Sequence, residues 1–201
     1  VIKVIETASL EYKIFSQIEP NPLAKDVEGI GLPMYREMQA DCMIAVGGGS
    51  TMDSAKGIAM IGDSDNTVAD CAVVSRTANP YVDLPWKTYP MIAIPTTCGT
   101  GSEVIRNAVI TEENGHKDVL MHDCILPKYA IEDPDLLASL PAHVASSTVM
   151  DAFVQSVESY ISNAATLFSE MCSMRAIDLL APNLVKYVRN PAAPVVADAT
   201  S

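Results

Sequence analysis

A glycine-rich turn carries the clearest chemical signal in this sequence. Residues 47–49 are all glycine, an apolar run at 43–46 precedes them, and Ser50 and Asp53 follow. The pattern predicts a strand, a tight turn and a helix, with Ser50 as the N-cap and Asp53 as the acidic residue of a capping box. Unpaired amides at a helix start and the positive end of the helix dipole would bind a phosphate. The spacing is that of neither a Rossmann fingerprint nor a Walker A loop, so a βα turn without a ligand is the alternative.

A second loop, residues 96–103, combines glycine with hydroxyl side chains directly after the apolar run at 91–94. Hydroxyls and backbone amides can donate hydrogen bonds to phosphate and ribose oxygens without net positive charge. This matters because the chain has a net charge of −12, which opposes binding to nucleic acid or to an anionic membrane. Cys98 lies inside the loop, and a lone thiol there is interpreted as a small buried side chain and not as a nucleophile.

Composition indicates a globular protein. The 201 residues are 49% hydrophobic and 19% charged, and no apolar run reaches the length of a membrane span. Five cysteines, an odd number without a close pair, are typical of reduced thiols in a cytoplasmic protein. We expect no signal peptide. The first residue is Val, which indicates a start that is missing or processed.

Apolar periodicity and chain breakers give the order of the elements. A helix is predicted at 23–38, and strands are predicted at 12–15, 43–46, 91–94, 104–111, 119–121 and 129–131. Residues 62–87 are polar and irregular, which predicts a loop that can include a short helix. Alternation of strands and helices indicates an α/β fold up to residue 134.

The pattern changes to helical from residue 135 onward. Helices are predicted at 142–162 and at 166–188, with Pro182 as an interruption or a kink. A loose tail is predicted from 190 to 201. We therefore predict an α/β domain at 1–134 and a partial all-helical domain at 135–201.

Three stretches in one order, residues 47–56, 94–103 and 133–162, together resemble the iron-containing (group III) alcohol dehydrogenase family. The resemblance covers almost the whole chain. It implies a Rossmann-like dinucleotide-binding domain followed by the start of an all-helical, metal-binding domain. The implied reaction is hydride transfer between a small alcohol or aldehyde and NAD or NADP, with substrate in the cleft between the domains. By the same resemblance, the chain is expected to be truncated at both ends.

The resemblance assigns roles to residues of this sequence. Gly48, Gly49 and Ser50 would hold the pyrophosphate, and Lys117 would reach the ribose or phosphate side of the cofactor. The residues implied to line the cofactor are Asp53, Thr96, Thr97, Thr100 and Asn107. Asp151 matches the first metal ligand of the family. Lysines in loops are usually just exposed, so a solvated Lys117 is an equal alternative, and Lys56 is interpreted as a solvated helix residue.

Two departures from the family pattern concern the metal. The second ligand of the family is a His four residues after the Asp, and here that position is Gln155, whose neutral amide is a weak ligand for iron or zinc. The histidines of this chain, His116, His122 and His143, do not match the remaining ligand positions, which lie beyond the end of the chain. We therefore consider a polar helix face without metal a strong alternative at Asp151 and Gln155.

A third departure concerns the choice of cofactor. Ser16 stands where many members have an Asp that repels a 2′-phosphate, so NADP becomes admissible beside NAD.

The leading hypothesis is an NAD(P)-dependent alcohol dehydrogenase or aldehyde reductase, and no side chain is identified as its catalytic proton donor. The alternative is a metal-free, non-catalytic nucleotide-binding or structural remnant of the family. A relative in the glycerol dehydrogenase or dehydroquinate synthase branch is a third possibility, against which the 96–103 loop speaks. Because apolar helix faces would otherwise be exposed, we expect a homodimer.

Overall fold

A computed structural model describes residues 1–78 and 90–190. The α-helices within them are α1 (Ile2–Thr7), α2 (Ala24–Asp26), α3 (Leu32–Met38), α4 (Gly49–Ile61), α5 (Val68–Cys71), α6 (Val73–Ala78), α7 (Ala142–Ile161), α8 (Leu167–Leu180) and α9 (Leu184–Arg189). The strands are β1 (Met43–Gly47), β2 (Met91–Pro95), β3 (Asn107–Thr111), β4 (Lys117–Met121) and β5 (Tyr129–Ala130). Residues 79–87 of the predicted loop and 191–201 of the predicted tail lie outside the described residues.

A parallel sheet has the strand order β1–β2–β5. Met43 pairs with Met91 and Gly47 with Pro95, so β1 and β2 run side by side over their full length. The short apolar runs predicted as strands at 43–46 and 91–94 are thereby confirmed. Parallel strands need crossover connections, which the helical segment after β1 begins to supply. The carboxyl ends of β1 and β2 therefore meet at one edge of the sheet.

An antiparallel hairpin of β3 and β4 packs on the other side of α4. Ala108, Ile110 and Leu120 are buried while Val109 and Val119 are exposed, as the period of two in a strand requires. The strand predicted at 104–111 begins only at Asn107, because residues Ser102–Val104 form a 3₁₀ turn.

Helix α4 lies at the centre of the α/β part. Ile58, Met60 and Ile61 belong to the main hydrophobic cluster, and Met52 packs in a second cluster with Ala45 and Ala93 of the sheet. The predicted cap of this helix is wrong. Gly48 is the N-cap and Ser50 lies in the first turn, because the helix begins at Gly49, two residues earlier than an N-cap at Ser50 requires.

The segment before β1 agrees with the sequence in one place and differs in another. Residues 24–38 are helical as predicted, and a π turn, Val27–Gly31, joins α2 to α3 and accommodates the two glycines. The strand predicted at 12–15 is wrong. These residues pair with no strand in the described part of the chain, although Phe15 packs against the core. A β-type sequence without a neighbouring strand has no ladder in which to take part.

The region after β1 and α4 is more helical than predicted. Thr67 caps α5 in a capping box, since its hydroxyl accepts from the Asp70 amide at 3.1 Å and Asp70 accepts from the Thr67 amide at 2.9 Å.

Among the described residues, no helix combines the length and apolar character needed to cross a membrane.

The carboxyl-terminal part is helical, as predicted. Helix α7 packs against α8 and α9, and the chain interrupts its helix at residues 181–183, around Pro182. A separate hydrophobic cluster forms here from Ala145, Val149 and Tyr187, together with Cys98 from the loop after β2. The division of the chain at residue 134 stays a prediction.

Candidate functional site

The two glycine-rich loops meet where β1 and β2 end. The Thr96 amide donates a hydrogen bond to the Gly47 carbonyl oxygen at 3.0 Å, which ties the loop after β2 to the turn after β1. Ligands of open parallel sheets bind in crevices at this edge. The structure therefore brings together the residues predicted to hold a cofactor at 48–50 with those predicted at 96, 97 and 100.

Two threonines cover two glycines at this edge. A Cβ on Gly48 would lie 3.1 Å from Thr97 Oγ1, and a Cβ on Gly49 would lie 2.7 Å from Thr100 Cγ2 and 3.2 Å from its Oγ1. Glycine is needed here because a side chain would fill the space between the turn and the threonines. In the described part of the chain, we find no hydrogen bond donated by the Gly49 or Ser50 amides, so the first turn of α4 offers them to a ligand.

Lys117 reaches the same turn through Asn21. The Lys117 ammonium donates to Asn21 Oδ1 at 2.9 Å, and the Asn21 amide donates to Ser50 Oγ at 3.2 Å. Lys117 is exposed, as in the alternative of a solvated loop lysine, but Asn21 links its ammonium to Ser50 in the first turn of α4. Sequence reasoning missed Asn21. Its φ of 59°, between two prolines, is a conformation that Asn tolerates better than most residues, and this is the signal that marks it.

Both carboxylate oxygens of Asp53 accept hydrogen bonds from other residues of the protein. Its Oδ1 accepts from the Ser102 hydroxyl at 2.8 Å and its Oδ2 from the Val109 amide at 3.0 Å. Burial raises the pKa of Asp53, and the two hydrogen bonds and the nearby Lys56 ammonium oppose that rise. Asp53 thus joins α4 to β3 and to the second loop and is no capping residue, which corrects the predicted capping box.

Lys56 is the second correction, because the structure buries it completely, with 0% of its surface exposed. Its ammonium donates to the Ser102 carbonyl at 2.6 Å, to Ser102 Oγ at 2.8 Å and to the Asn107 carbonyl at 2.8 Å. Burial lowers the pKa of Lys56 to about 8, against the opposing attraction of Asp53 and Glu103. Sequence reasoning missed this burial. Residues 57–61, which follow Lys56 in α4, are all buried, so this half of the helix has no solvent face for the ammonium.

The predicted metal pair does not form a site on its own. Asp151 and Gln155 both lie exposed on α7, one helical turn apart. Across residues 1–78 and 90–190, no three His, Cys, Asp or Glu side chains are grouped so that they could hold a metal ion. One carboxylate and one neutral amide do not fit iron or zinc, which require more and stronger donors. The histidines do not complete this metal site. His122 Nδ1 accepts a hydrogen bond from the Cys124 amide, and His116 and His143 are exposed.

The second loop also contacts the helical part. The Cys98 thiol donates to the Tyr187 hydroxyl at 3.3 Å and lies 3.7 Å from Thr148 Oγ1. Cys98 and Tyr187 are both buried, and burial together with this hydrogen bond raises the pKa of Tyr187. Cys98 behaves as the small buried side chain that was predicted. It also anchors the loop between α7 and α9.

Comparison with known proteins identifies the class to which this fold and site belong. Residues 1–134 match the family described as iron-containing alcohol dehydrogenase, and the chain belongs to that family. The chain is 34% identical over 188 residues to alcohol dehydrogenase 4 of Schizosaccharomyces pombe, covering 93% of this chain and 43% of that protein. It is 38% identical over 181 residues to 1,3-propanediol dehydrogenase of Klebsiella pneumoniae, covering 90% and 45%. The chain thus spans less than half the length of these relatives.

Solved structures show the same fold. A crystal structure of 1,3-propanediol oxidoreductase superposes with a TM-score of 0.87 at 33% identity, covering 99% of this chain and 51% of that one. Sulfoacetaldehyde reductase from Bifidobacterium kashiwanohense, in complex with NAD+, superposes with a TM-score of 0.85 at 29% identity, covering 99% and 54%. The α/β fold with its parallel sheet is that of the Rossmann-like part of such structures.

Proposed function

We propose that this protein is an NAD(P)-dependent alcohol dehydrogenase or aldehyde reductase. In this proposal residues 1–134 form the dinucleotide-binding domain, and residues 135–201 belong to a helical domain. The observation that carries it is that the glycine turn (residues 47–49) and the threonine loop (residues 96–103) meet at the carboxyl ends of β1 and β2. The names of the relatives support the activity, and the NAD+ complex of the similar reductase supports the cofactor.

The work of the described residues is to bind and orient the dinucleotide. The amides of Gly49 and Ser50 and the dipole of α4 would hold the pyrophosphate, with Lys117 adding charge from the side. The hydroxyls of Thr97 and Thr100 lie over the glycines and would donate to phosphate or ribose oxygens. When bound, the nicotinamide accepts or donates the hydride exchanged with the alcohol or aldehyde. The proton donor of the reaction stays unassigned.

Both NAD and NADP are admissible in this proposal. Ser16 is exposed and carries no charge, so it would not repel a 2′-phosphate as a carboxylate would. Comparing the affinities for NADH and NADPH tests this directly, and a Ser16→Asp variant should lower the affinity for NADPH more than that for NADH.

Fluorescence titration with NADH and NADPH tests the proposed site. Wild type should bind saturably, and Gly49→Ala should weaken binding by roughly tenfold or more, about 1.4 kcal/mol, because its Cβ would push Thr100 out of place. Gly29→Ala is the matched control, since Gly29 is exposed and a Cβ there meets nothing within 4 Å. Binding that is absent in wild type, or equal in the two variants, would contradict the proposal.

The metal-free remnant is the alternative function, and the alcohol dehydrogenase relatives do not favour it. We derive no step of the reaction through a metal, because Asp151 and Gln155 do not fit one by themselves. Iron and zinc content of purified protein distinguishes the candidates, measured on wild type and on Gln155→His, which restores the imidazole at one helical turn from Asp151. Stoichiometric metal in wild type would eliminate the remnant.

We also propose a homodimer in a reducing, cytoplasmic compartment. All five cysteines are thiols, which supports the compartment. Ile161, Leu167 and Phe168 are more than two-thirds exposed at 71%, 75% and 77%, and such apolar surface favours association. Size-exclusion chromatography with light scattering tests the dimer, and a stable monomer at high concentration would refute it.

A further inference from the structure

Lys56 is a buried charge in the middle of a helix, beside the candidate dinucleotide site. An ammonium has three N–H donors, and here each has its own acceptor within 2.8 Å: the Ser102 carbonyl, Ser102 Oγ and the Asn107 carbonyl. A neutral amine has only two such donors and would turn a lone pair towards the third acceptor. The geometry therefore suits the protonated side chain.

The three acceptors belong to the two segments that carry cofactor-lining positions. Ser102 lies near the end of the loop at 96–103, and its amide donates to Thr100 Oγ1 at 3.3 Å. Thr100 in turn covers Gly49 at the start of α4. Asn107 is the first residue of β3, and its backbone carbonyl is held directly. One side chain thus connects α4 with both segments.

The hydroxyl of Ser102 relays this contact to Asp53. It accepts from the Lys56 ammonium and donates to Asp53 Oδ1 at 2.8 Å, while Asp53 Oδ2 accepts from the Val109 amide. Ammonium, hydroxyl and carboxylate therefore form one connected network. Each member orients the next, so the loss of one donor would loosen the loop and the strand together.

We propose that Lys56 is a positioning residue for the dinucleotide: its three hydrogen bonds hold the loop at 96–103 and the beginning of β3 where Thr100 and Asn107 meet the cofactor. This inference rests on the proposed function. Lys56 itself touches no cofactor, since it is buried behind the loop that it holds.

A purely structural role is a poor explanation for this charge. Replacing buried charged groups by apolar residues of similar size is often neutral or stabilising, so stability alone does not require an ammonium here. The position of the loop does require an ammonium, because an apolar side chain cannot donate hydrogen bonds to the three oxygens. The carboxyls that act on Lys56 are Asp53 from its own helix and Glu103 from the adjoining 3₁₀ turn. Since burial lowers the pKa of Lys56 to about 8, it should lose its third donor in mildly alkaline solution.

The test measures NADH affinity by fluorescence from about pH 6.5 to 9.5 for wild type, Lys56→Met, Lys56→Arg and Ser102→Ala. Lys3→Met is the matched control, because Lys3 is an exposed helical lysine and the change in net charge is the same. In parallel, NMR of the Lys56 Cε resonance follows its titration with and without saturating NADH. Circular dichroism establishes that each variant is folded.

Wild-type affinity should be constant below about pH 8 and fall above it, by up to tenfold per pH unit. Lys56→Met should bind at least tenfold more weakly near neutral pH and show no alkaline decline. Lys56→Arg, which stays charged, should retain more affinity than Lys56→Met and also lack the decline. Ser102→Ala should weaken binding, while Lys3→Met should not. Because coupling is reciprocal, NADH should raise the pKa of Lys56.

The outcomes separate the two proposals. Wild type that binds no dinucleotide at any pH refutes the proposed function and this inference with it. Wild type that binds, but with an affinity independent of pH and a Lys56 titration unchanged by NADH, overturns the inference alone. These two readouts use the wild-type protein, so they decide the question even if Lys56→Met does not fold.

Discussion

Gly99 is the point where the loop after β2 touches the backbone of α7, and replacing it by alanine is the sharpest test of this packing. Its φ is +139°, and a Cβ on it would overlap the carbonyl oxygen of Thr148. Gly101, in the same loop, also has a positive φ of +60°, but a Cβ there meets nothing within 4 Å. The two glycines therefore differ mainly in the contact with α7.

The expected costs follow from these differences. Overpacking costs about 1–3 kcal/mol and a backbone conformation that side chains rarely adopt adds about 1–3 kcal/mol, so Gly99→Ala should lower the free energy of unfolding by roughly 3 kcal/mol. Gly101→Ala should cost only about 1 kcal/mol, since alanine in the left-handed region loses about 1–2 kcal/mol. Alanine also lowers the conformational entropy of the unfolded chain, which stabilises each variant by about 0.4–1 kcal/mol, and this effect cancels in the comparison of the two.

Urea unfolding followed by far-UV circular dichroism measures both variants. The difference between Gly99→Ala and Gly101→Ala should be about 2 kcal/mol, with similar slopes against urea. A difference below roughly 0.5 kcal/mol, the ordinary effect of a surface substitution, would refute the tight contact between the loop and α7. A loss of cooperativity only in Gly99→Ala would instead show that this contact joins the two parts into one unfolding unit.

Three further expectations concern stability. Between about pH 8 and its ordinary pKa of 10.5, Lys56 binds fewer protons in the folded than in the unfolded state. The free energy of unfolding of wild type relative to Lys56→Met should therefore rise across this window, by up to about 3 kcal/mol. Urea unfolding curves of both proteins at several pH values measure this difference, and a difference that does not change with pH would contradict the burial of the charge. Tyr187→Phe removes the acceptor of the Cys98 thiol and should cost about 1 kcal/mol in urea unfolding, whereas no loss would show that the hydrogen bond is dispensable. Arg36→Met removes donors to the Gly62 and Ile61 carbonyls at the end of α4 and should cost about 1.5–3 kcal/mol, checked by thermal melts against Lys3→Met.

Local patterns in the sequence determined the elements that make up the site. Runs of apolar residues bounded by glycine or proline predicted β1 and β2, and a glycine- and hydroxyl-rich loop was predicted directly after each of them. The helices α7 and α8 followed from their period and from the absence of breakers. These predictions succeeded because each depends on residues that are neighbours in the sequence.

Contacts between distant residues decided the rest. Ser50 lies within α4 and accepts a hydrogen bond from the Asn21 amide, 29 residues away. Asp53 accepts from the Ser102 hydroxyl and the Val109 amide, 49 and 56 residues away, and not from a helix-start amide. The strand predicted at 12–15 has the composition of a strand, but β pairing needs a partner that the sequence does not reveal.

Lys56 shows the division most clearly. The sequence by itself determined that Lys56 lies in a helix after a glycine turn, and from that position its ammonium was expected to be solvated. Only the tertiary structure determined that three oxygens from segments 46 and 51 residues away converge on it. A buried charge is tolerated only where such acceptors are assembled, and their assembly is a property of the folded chain and not of any local pattern.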